Sequence, residues 1–219
     1  MVKWREGPGA PAAAGRPGRA LATEAEALDR AAALLDAGGV LAHPTSTVYG
    51  LGGRPWPDVD ARIAAIKRRP PGPLIRLAAS REALREALPE MRWTAAARRL
   101  AEAFWPGPLT LVLEDGSDTG VAVRVDPHPV VRRLLDGAGG LLTSTSLNET
   151  GKPPARTGRE VRAALSGVGS EAGTVGWLDA GDLAGSTPST LVRVTGEDFE
   201  ILREGAIPAT DVTRALSRQ

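Results

Sequence analysis

Cysteine is absent from the 219 residues, which excludes disulfides, thiol catalysis and cysteine-ligated metals. Histidine occurs twice, as His43 and His128, and two residues argue against a histidine-built metal centre. Aromatic residues make up 4% of the chain, so single-stranded nucleic acid would find few platforms for base stacking. The net charge is only +1. No global field therefore draws the chain toward nucleic acid, although a local basic surface is compatible with that balance. No apolar run approaches the roughly 18 residues of a membrane span. The first 22 residues carry Lys3, Arg5, Arg16 and Arg19 but no apolar stretch of the kind found in secretory signals. A Walker-type phosphate loop, GxGxxG, HExxH and a Gly-x-Ser-x-Gly elbow are all missing. These absences point to a cytoplasmic protein with no membrane span.

Hydrophobic residues amount to 42%, enough for a full core. The length fits one large domain. Residues 1–22, rich in Pro, Gly and Ala, read as a flexible leader, and 23–219 as a single domain. Thr23 with Glu26 forms a capping box for a helix that stops at Gly38-Gly39. Val40 to Ala42 reads as a strand, and Asp58 as the cap of a helix whose Val59, Ile63 and Ile66 share a face. Leu74–Ala78, Leu109–Leu113 and Val121–Val125 read as strands, and Ser80 and Thr94 open helices. Residues 128–136 and 159–166 look helical, strands follow near 174–178, 189–194 and 199–203, and a last helix starts near Thr210. Helices and strands alternate for most of the length, which predicts an α/β fold with a mixed sheet flanked by helices.

Several stretches combine hydroxyls, glycine and cations. His43 to Gly53 follows a strand and carries Thr45, Ser46, Thr47, Tyr49 and three glycines after it. It reads either as a loop offering hydroxyls and bare N–H groups to a polar ligand or as a tight turn between core elements. Lys67-Arg68-Arg69 places three cations at a helix end, where they either complement the helix dipole or form an anion site. Residues 143–150 supply five hydroxyls and Asn148 after an apolar pair, more than capping requires. Arg124 sits among β-branched residues and either alternates outward to solvent or pairs with a carboxylate or phosphate in a cleft. His43 and His128 are candidate acid/base groups, but each adjoins a proline at a strand end, where a structural role is the commoner one.

Seven motifs occur in order. They are Pro-Thr-x-Thr-Val-Tyr-Gly-Leu-Gly at 44–52, Lys-x-Arg-Pro followed by Pro-Leu at 67–74, Trp-Pro-Gly-Pro-Leu-Thr at 105–110 and Val-Ala-Val-Arg-x-x-x-His-Pro at 121–129. Thr-Ser-x-Asn-x-x-Gly at 145–151, Ser-Thr-x-Val at 189–192 and Leu-Arg-x-Gly at 202–205 complete the set. In this order the chain resembles the YrdC-like threonylcarbamoyl-AMP synthases over about residues 24–208, in their single-domain form.

The resemblance implies a twisted α/β sheet with a large basic concave face. It implies a nucleotidyltransferase that makes threonylcarbamoyl-AMP and pyrophosphate from L-threonine, bicarbonate and ATP, for threonylcarbamoyladenosine in tRNA. Carried over by motif, Lys67, Arg69, Ser146, Asn148 and Arg203 would hold ATP, with Lys67 and Arg69 acting as electrostatic catalysts. Thr45, Arg124 and Ser189 would hold threonine or its carbamate. Mg2+ would accompany ATP, with no organic cofactor and no metal held by protein side chains. Implied partners are tRNA and proteins of the modification pathway, and under the separate reading of an RNA-binding module the same basic concavity is open to a shape-based grip on double-stranded RNA.

The chain also departs from the family pattern. The loop after Arg69 is one residue short, Arg68 stands where a small residue is common, Ser46 replaces a frequent glutamate, and Glu149 adds negative charge beside the expected anion site. The alternative these departures leave is an RNA-binding or nucleotide-binding regulatory relative without synthase activity.

Overall fold

A computed structural model describes residues 1–8, 23–68, 72–136, 140–149, 151–169, 173–184 and 187–217. In chain order the first elements are β1 (Lys3–Glu6), α1 (Glu24–Asp36), β2 (Val40–His43), β3 (Gly50–Gly53), α2 (Pro57–Ile66), β4 (Ile75–Ala78), α3 (Arg81–Ala87) and α4 (Ala95–Phe104). Then come β5 (Leu109–Leu113), β6 (Val121–Val125), α5 (Pro129–Asp136), β7 (Leu141–Ser146), α6 (Gly158–Ser166), β8 (Val175–Asp179), β9 (Thr190–Thr195), β10 (Asp198–Arg203) and α7 (Ala209–Ser217). Among the described residues the strands form one 10-stranded sheet in the order β1-β8-β2-β3-β7-β4-β6-β5-β9-β10. It is mixed, as the alternation of elements predicts. The pairs β2/β8, β4/β6 and β5/β9 are parallel and the others antiparallel.

Helices cover both faces, and the period-two alternation of the strands feeds each side. Val40 and Ala42 of β2, with Val175 and Trp177 of β8, pack with Val59 and Ile63 of α2 and Val161 and Leu165 of α6. Leu41 and Leu178 point the other way, into a cluster with Ala27, Ala31 and Leu35 of α1 and Val131, Leu134 and Leu135 of α5. A third cluster joins Leu84 of α3, Leu100 of α4 and Val212 of α7 to β5, β6 and β9.

The helix starts follow local chemistry closely. Glu26 N donates to Thr23 Oγ1 at 3.2 Å and Thr23 N to Glu26 Oε2 at 2.7 Å, closing the capping box. Ser80 and Thr94 cap α3 and α4 by accepting from Ala83 N and Ala97 N, each at 3.1 Å. One cap differs. The helix expected from Asp58 begins earlier, with Trp56 at the cap position and Pro57 in the first turn, because proline's fixed φ suits that turn and its missing N–H is not needed there.

Three further expectations change. Residues 3–6 of the expected leader form an edge strand, β1, in register with β8 from Lys3 opposite Asp179 to Glu6 opposite Gly176; residues 9–22 lie outside the described residues. The glycines after Tyr49, read as loop, form β3. The Thr/Ser run after Leu142, read as a polar run or, alternatively, a capping turn, continues β7 to Ser146, and β7 pairs with β3 and β4 in the middle of the sheet. The glycines of β3 answer a steric need. A Cβ on Gly52 would sit 2.3 Å from the Thr143 carbonyl oxygen, and one on Gly50 2.7 Å from Ser144 Oγ. No helix among the described residues is long and apolar enough to cross a membrane.

Candidate functional site

The sheet face that sends Leu77 and Leu142 into the α1/α5 cluster carries Ile75, Arg124, Ser144 and Ser146 to a cavity of about 90 Å³. Its wall also includes Thr45 and Thr47 from the loop after β2, and Ser189 and Arg203 from the β9/β10 side. Of the residues singled out in the sequence, Thr45, Arg124, Ser146, Ser189 and Arg203 therefore share one cavity wall. Lys67 and Asn148 adjoin it through Ser146: Lys67 Nζ donates to the Ser146 carbonyl at 2.6 Å and to Asn148 Oδ1 at 2.9 Å, and Ser146 Oγ donates to Asn148 Oδ1 at 2.7 Å. Arg69 lies outside the described residues.

Thr45 is held by its own loop. Its Oγ1 donates to the Val48 carbonyl at 2.6 Å and accepts from Thr47 N and Val48 N at 3.2 Å. This is a side-chain-closed turn of the sort Thr favours, and it places Thr45, Thr47 and Val48 on the cavity wall. Arg124 is almost wholly buried. Its Nε donates to the Gly107 carbonyl at 3.0 Å, Nη1 to Thr47 Oγ1 at 3.1 Å and Nη2 to Ser46 Oγ at 2.8 Å. It also forms an ion pair of 2.7 Å with Asp126. Of the two roles open to it in the sequence, pairing with a carboxylate is the one observed. Burial pushes its guanidinium pKa down and the like charge of Arg203 adds to that, while Asp126 opposes both.

Arg203 reaches back across the β9/β10 pair. Its Nη2 donates to the Ser189 carbonyl at 2.8 Å, and Ser189 Oγ shares a hydrogen bond with Thr110 Oγ1 at 2.8 Å. Burial lowers the Arg203 pKa as well. Thr190 ties the following loop down: its Oγ1 donates to the Ile207 carbonyl at 2.6 Å and accepts from Gly205 N and Ile207 N at 3.0 and 2.9 Å.

Two departures noted in the sequence acquire partners away from the cavity. Arg68, at φ 50°, turns its Nη2 toward the Gly167 carbonyl at the end of α6, 3.3 Å away. Glu149 pairs with Lys152, whose hydrogen bond and charge lower its pKa.

Neither histidine is placed for proton transfer at the cavity. His128 Nδ1 accepts from Val130 N at 3.2 Å and so serves the start of α5. His43 is wholly buried, with Nδ1 3.2 Å from the Pro44 carbonyl and Nε2 3.1 Å from Ser144 Oγ. A carbonyl can only accept, so Nδ1 carries the proton and Nε2 accepts from Ser144. That pair has the reach of a nucleophile and its base, yet burial lowers the His43 pKa to about 4, which makes it a weak base at neutral pH. The cavity thus offers cations, hydroxyls and main-chain groups, a set suited to holding anions rather than to covalent catalysis.

Sequence reasoning passed over Asp126, and it singled out Thr47 and Ser144 only as members of their hydroxyl-bearing stretches, without a role for either. Asp126 was legible in principle: two residues beyond Arg124 along an extended strand, it had to emerge on the same face.

A family model for Sua5/YciO/YrdC, described as "Telomere recombination", matches residues 33–205. A protein of Alkalilimnicola ehrlichii named threonylcarbamoyl-AMP synthase is 39% identical over 172 residues, covering 74% of this chain and 87% of that one. One of the same name from Chromohalobacter salexigens is 41% identical over 152 residues, covering 64% and 81%. Among solved structures, P. abyssi Sua5 complexed with L-threonine superposes at a TM-score of 0.75 with 28% identity, over 90% of this chain. This chain spans 59% of that archaeal protein's length. E. coli YciO shares the fold at a TM-score of 0.68 and 23% identity. With the family model matched from the end of α1 to the end of β10, and a curated relative aligned over most of its own length, the chain belongs to the Sua5/YciO/YrdC family.

Proposed function

We propose that this protein is a threonylcarbamoyl-AMP synthase, a nucleotidyltransferase acting on L-threonine, bicarbonate and ATP. The observation that carries the reading is the convergence of five motifs remote in the chain on one cation- and hydroxyl-lined cavity, in a chain whose relatives bear that name. At about 90 Å³ the enclosed part is smaller than the usual 300 Å³ or more of a drug-sized ligand site. It suits the threonine-derived end, and the nucleotide lies along its mouth. Thr45, Arg124 and Ser189 hold the amino-acid part. Lys67, Arg69, Ser146, Asn148 and Arg203 hold the nucleotide and its phosphates.

The threonine amine takes up bicarbonate with loss of water to give a carbamate. A carbamate oxygen then bonds to the α-phosphorus as the bond from that phosphorus to the bridging oxygen breaks, and pyrophosphate leaves with the electron pair. Negative charge grows on the phosphoryl oxygens and the leaving group, where fixed cations stabilise it, and positioning supplies the rest. No side-chain nucleophile takes part. Mg2+ enters as part of the nucleotide substrate, on its phosphates. With ATP and bicarbonate as substrates the protein works in the cytoplasm, and the adenylate is destined for tRNA in the hands of partner proteins.

The test is direct. Purified protein given ATP, bicarbonate and threonine releases pyrophosphate only when threonine is present. Release without threonine, or none at all, overturns the assignment, and ATP binding without release would favour the non-catalytic relative.

A further inference from the structure

Asp126 follows β6 by one residue and is 1% exposed. Three hydrogen-bond donors and one guanidinium, from Ser46, His128 and Arg124, surround its carboxylate. Arg124 Nη2 lies 2.7 Å from Oδ2 and His128 N donates to Oδ1 at 2.9 Å. Ser46 donates twice, from its N to Oδ1 at 3.1 Å and from its Oγ to Oδ2 at 3.2 Å. Ser46 Oγ in turn accepts from Arg124 Nη2 at 2.8 Å, so carboxylate, hydroxyl and guanidinium form a closed triangle.

The consequence falls on Arg124. A guanidinium has five N–H groups. Among the described residues, one is donated to the Gly107 carbonyl, one to Thr47 Oγ1 and one to Ser46 Oγ, and Asp126 Oδ2 lies 2.7 Å from Nη2 as its ion-pair partner. One N–H on Nη1 is left for the cavity that Arg124 lines, while Nη2 is held beside the Ser46 hydroxyl and the Asp126 carboxylate. A fork that grips a carboxylate needs two parallel N–H groups, and this one has been spent on the protein itself. The ion pair also offsets much of the arginine's charge.

We propose that Asp126 is a positioning residue for the amino-acid end of the site. It fixes the plane of Arg124 so that the guanidinium presents one N–H, in one direction, to an anionic oxygen of the substrate. Ser46 is the bridge that makes the arrangement rigid. The proposal rests on the reading of Arg124 as part of the threonine site.

The experiment compares D126N and R124Q with the parent protein in threonine-dependent pyrophosphate release, with KM measured separately for threonine and for ATP. Asparagine keeps the shape and one acceptor but presents an NH2 to donors, which releases the guanidinium. The expected result for D126N is a threonine KM raised about tenfold or more, with the KM for ATP within about threefold of the parent value. A D126N threonine KM equal to the parent value, or equal rises for both substrates, overturns the proposal. R124Q separates the two levels: if it leaves the threonine KM unchanged, the reading of Arg124 itself fails. Should D126N not fold, S46A removes only the bridging hydroxyl. A selective rise of about threefold in threonine KM then supports the proposal, and no rise or an unselective one overturns it.

Discussion

His43 Nε2 and the hydroxyl of Ser144 lie 3.1 Å apart between β2 and β7, and both residues are buried. The pair makes stability depend on pH. Burial holds the folded His43 pKa at about 4, while the Pro44 carbonyl and Asp126 pull it up and His128 pushes it down. The unfolded value is near 6.5. Between the two, the unfolded chain binds more protons, so stability is full above pH 6.5 and is lost as pH falls toward 4. The gap corresponds to about 3 kcal/mol at most. Urea midpoints measured from pH 7 to pH 4.5 should decline, and His43→Gln should flatten the decline. Parallel curves for the two proteins would show that His43 does not carry it.

Lys67 is a nearly buried cation whose ammonium donates, among the described residues, to the Ser146 carbonyl and Asn148 Oδ1. Its removal should weaken ATP binding by about 1.5–3 kcal/mol, the worth of a charge-assisted hydrogen bond, or roughly ten- to hundredfold in Kd. Titration calorimetry of Lys67→Met with ATP measures it. Unchanged affinity would place the nucleotide elsewhere. Arg203→Ala should behave alike and gives an independent reading from the far side of the cavity.

Gly52 has no room for a side chain. A methyl group there would press on the Thr143 carbonyl at 2.3 Å and approach His43 Nε2 at 3.1 Å. Backbone cannot move aside as a flexible side chain could, so Gly52→Ala should cost about 1–3 kcal/mol or more. Thermal melting of the variant at pH 7.5 provides the check. A melting temperature equal to the parent's would mean that β3 and β7 can separate without penalty.

Thr190 Oγ1 satisfies the N–H groups of Gly205 and Ile207 and the carbonyl of Ile207 at once. Thr190→Val keeps the shape and strands those buried groups, for about 1–3 kcal/mol each left unsatisfied. The same loop follows Arg203, so the KM for ATP should rise along with the loss of stability. A destabilised variant with unaltered ATP kinetics would separate the loop from the site.

Much of this was legible in the sequence. The boxes at Thr23 and Glu26, the hydroxyl caps at Ser80 and Thr94, and the β-branched runs at 109–113 and 121–125 rest on interactions within a few residues, and local pattern is enough to reveal those. The ordered motifs likewise pointed to the family. Tertiary structure decided the rest. The glycines of β3 have poor strand propensity and form a strand because β2 and β7 on either side supply hydrogen bonds. The proposed leader contributes β1 because β8 offers a free edge. The hold of Ser46 and Thr47 on Arg124, and the reach of Lys67 to Asn148, depend on chain segments meeting in space. A cavity wall drawn from Thr45 to Arg203 is set by sheet order, and no local periodicity encodes which strands become neighbours.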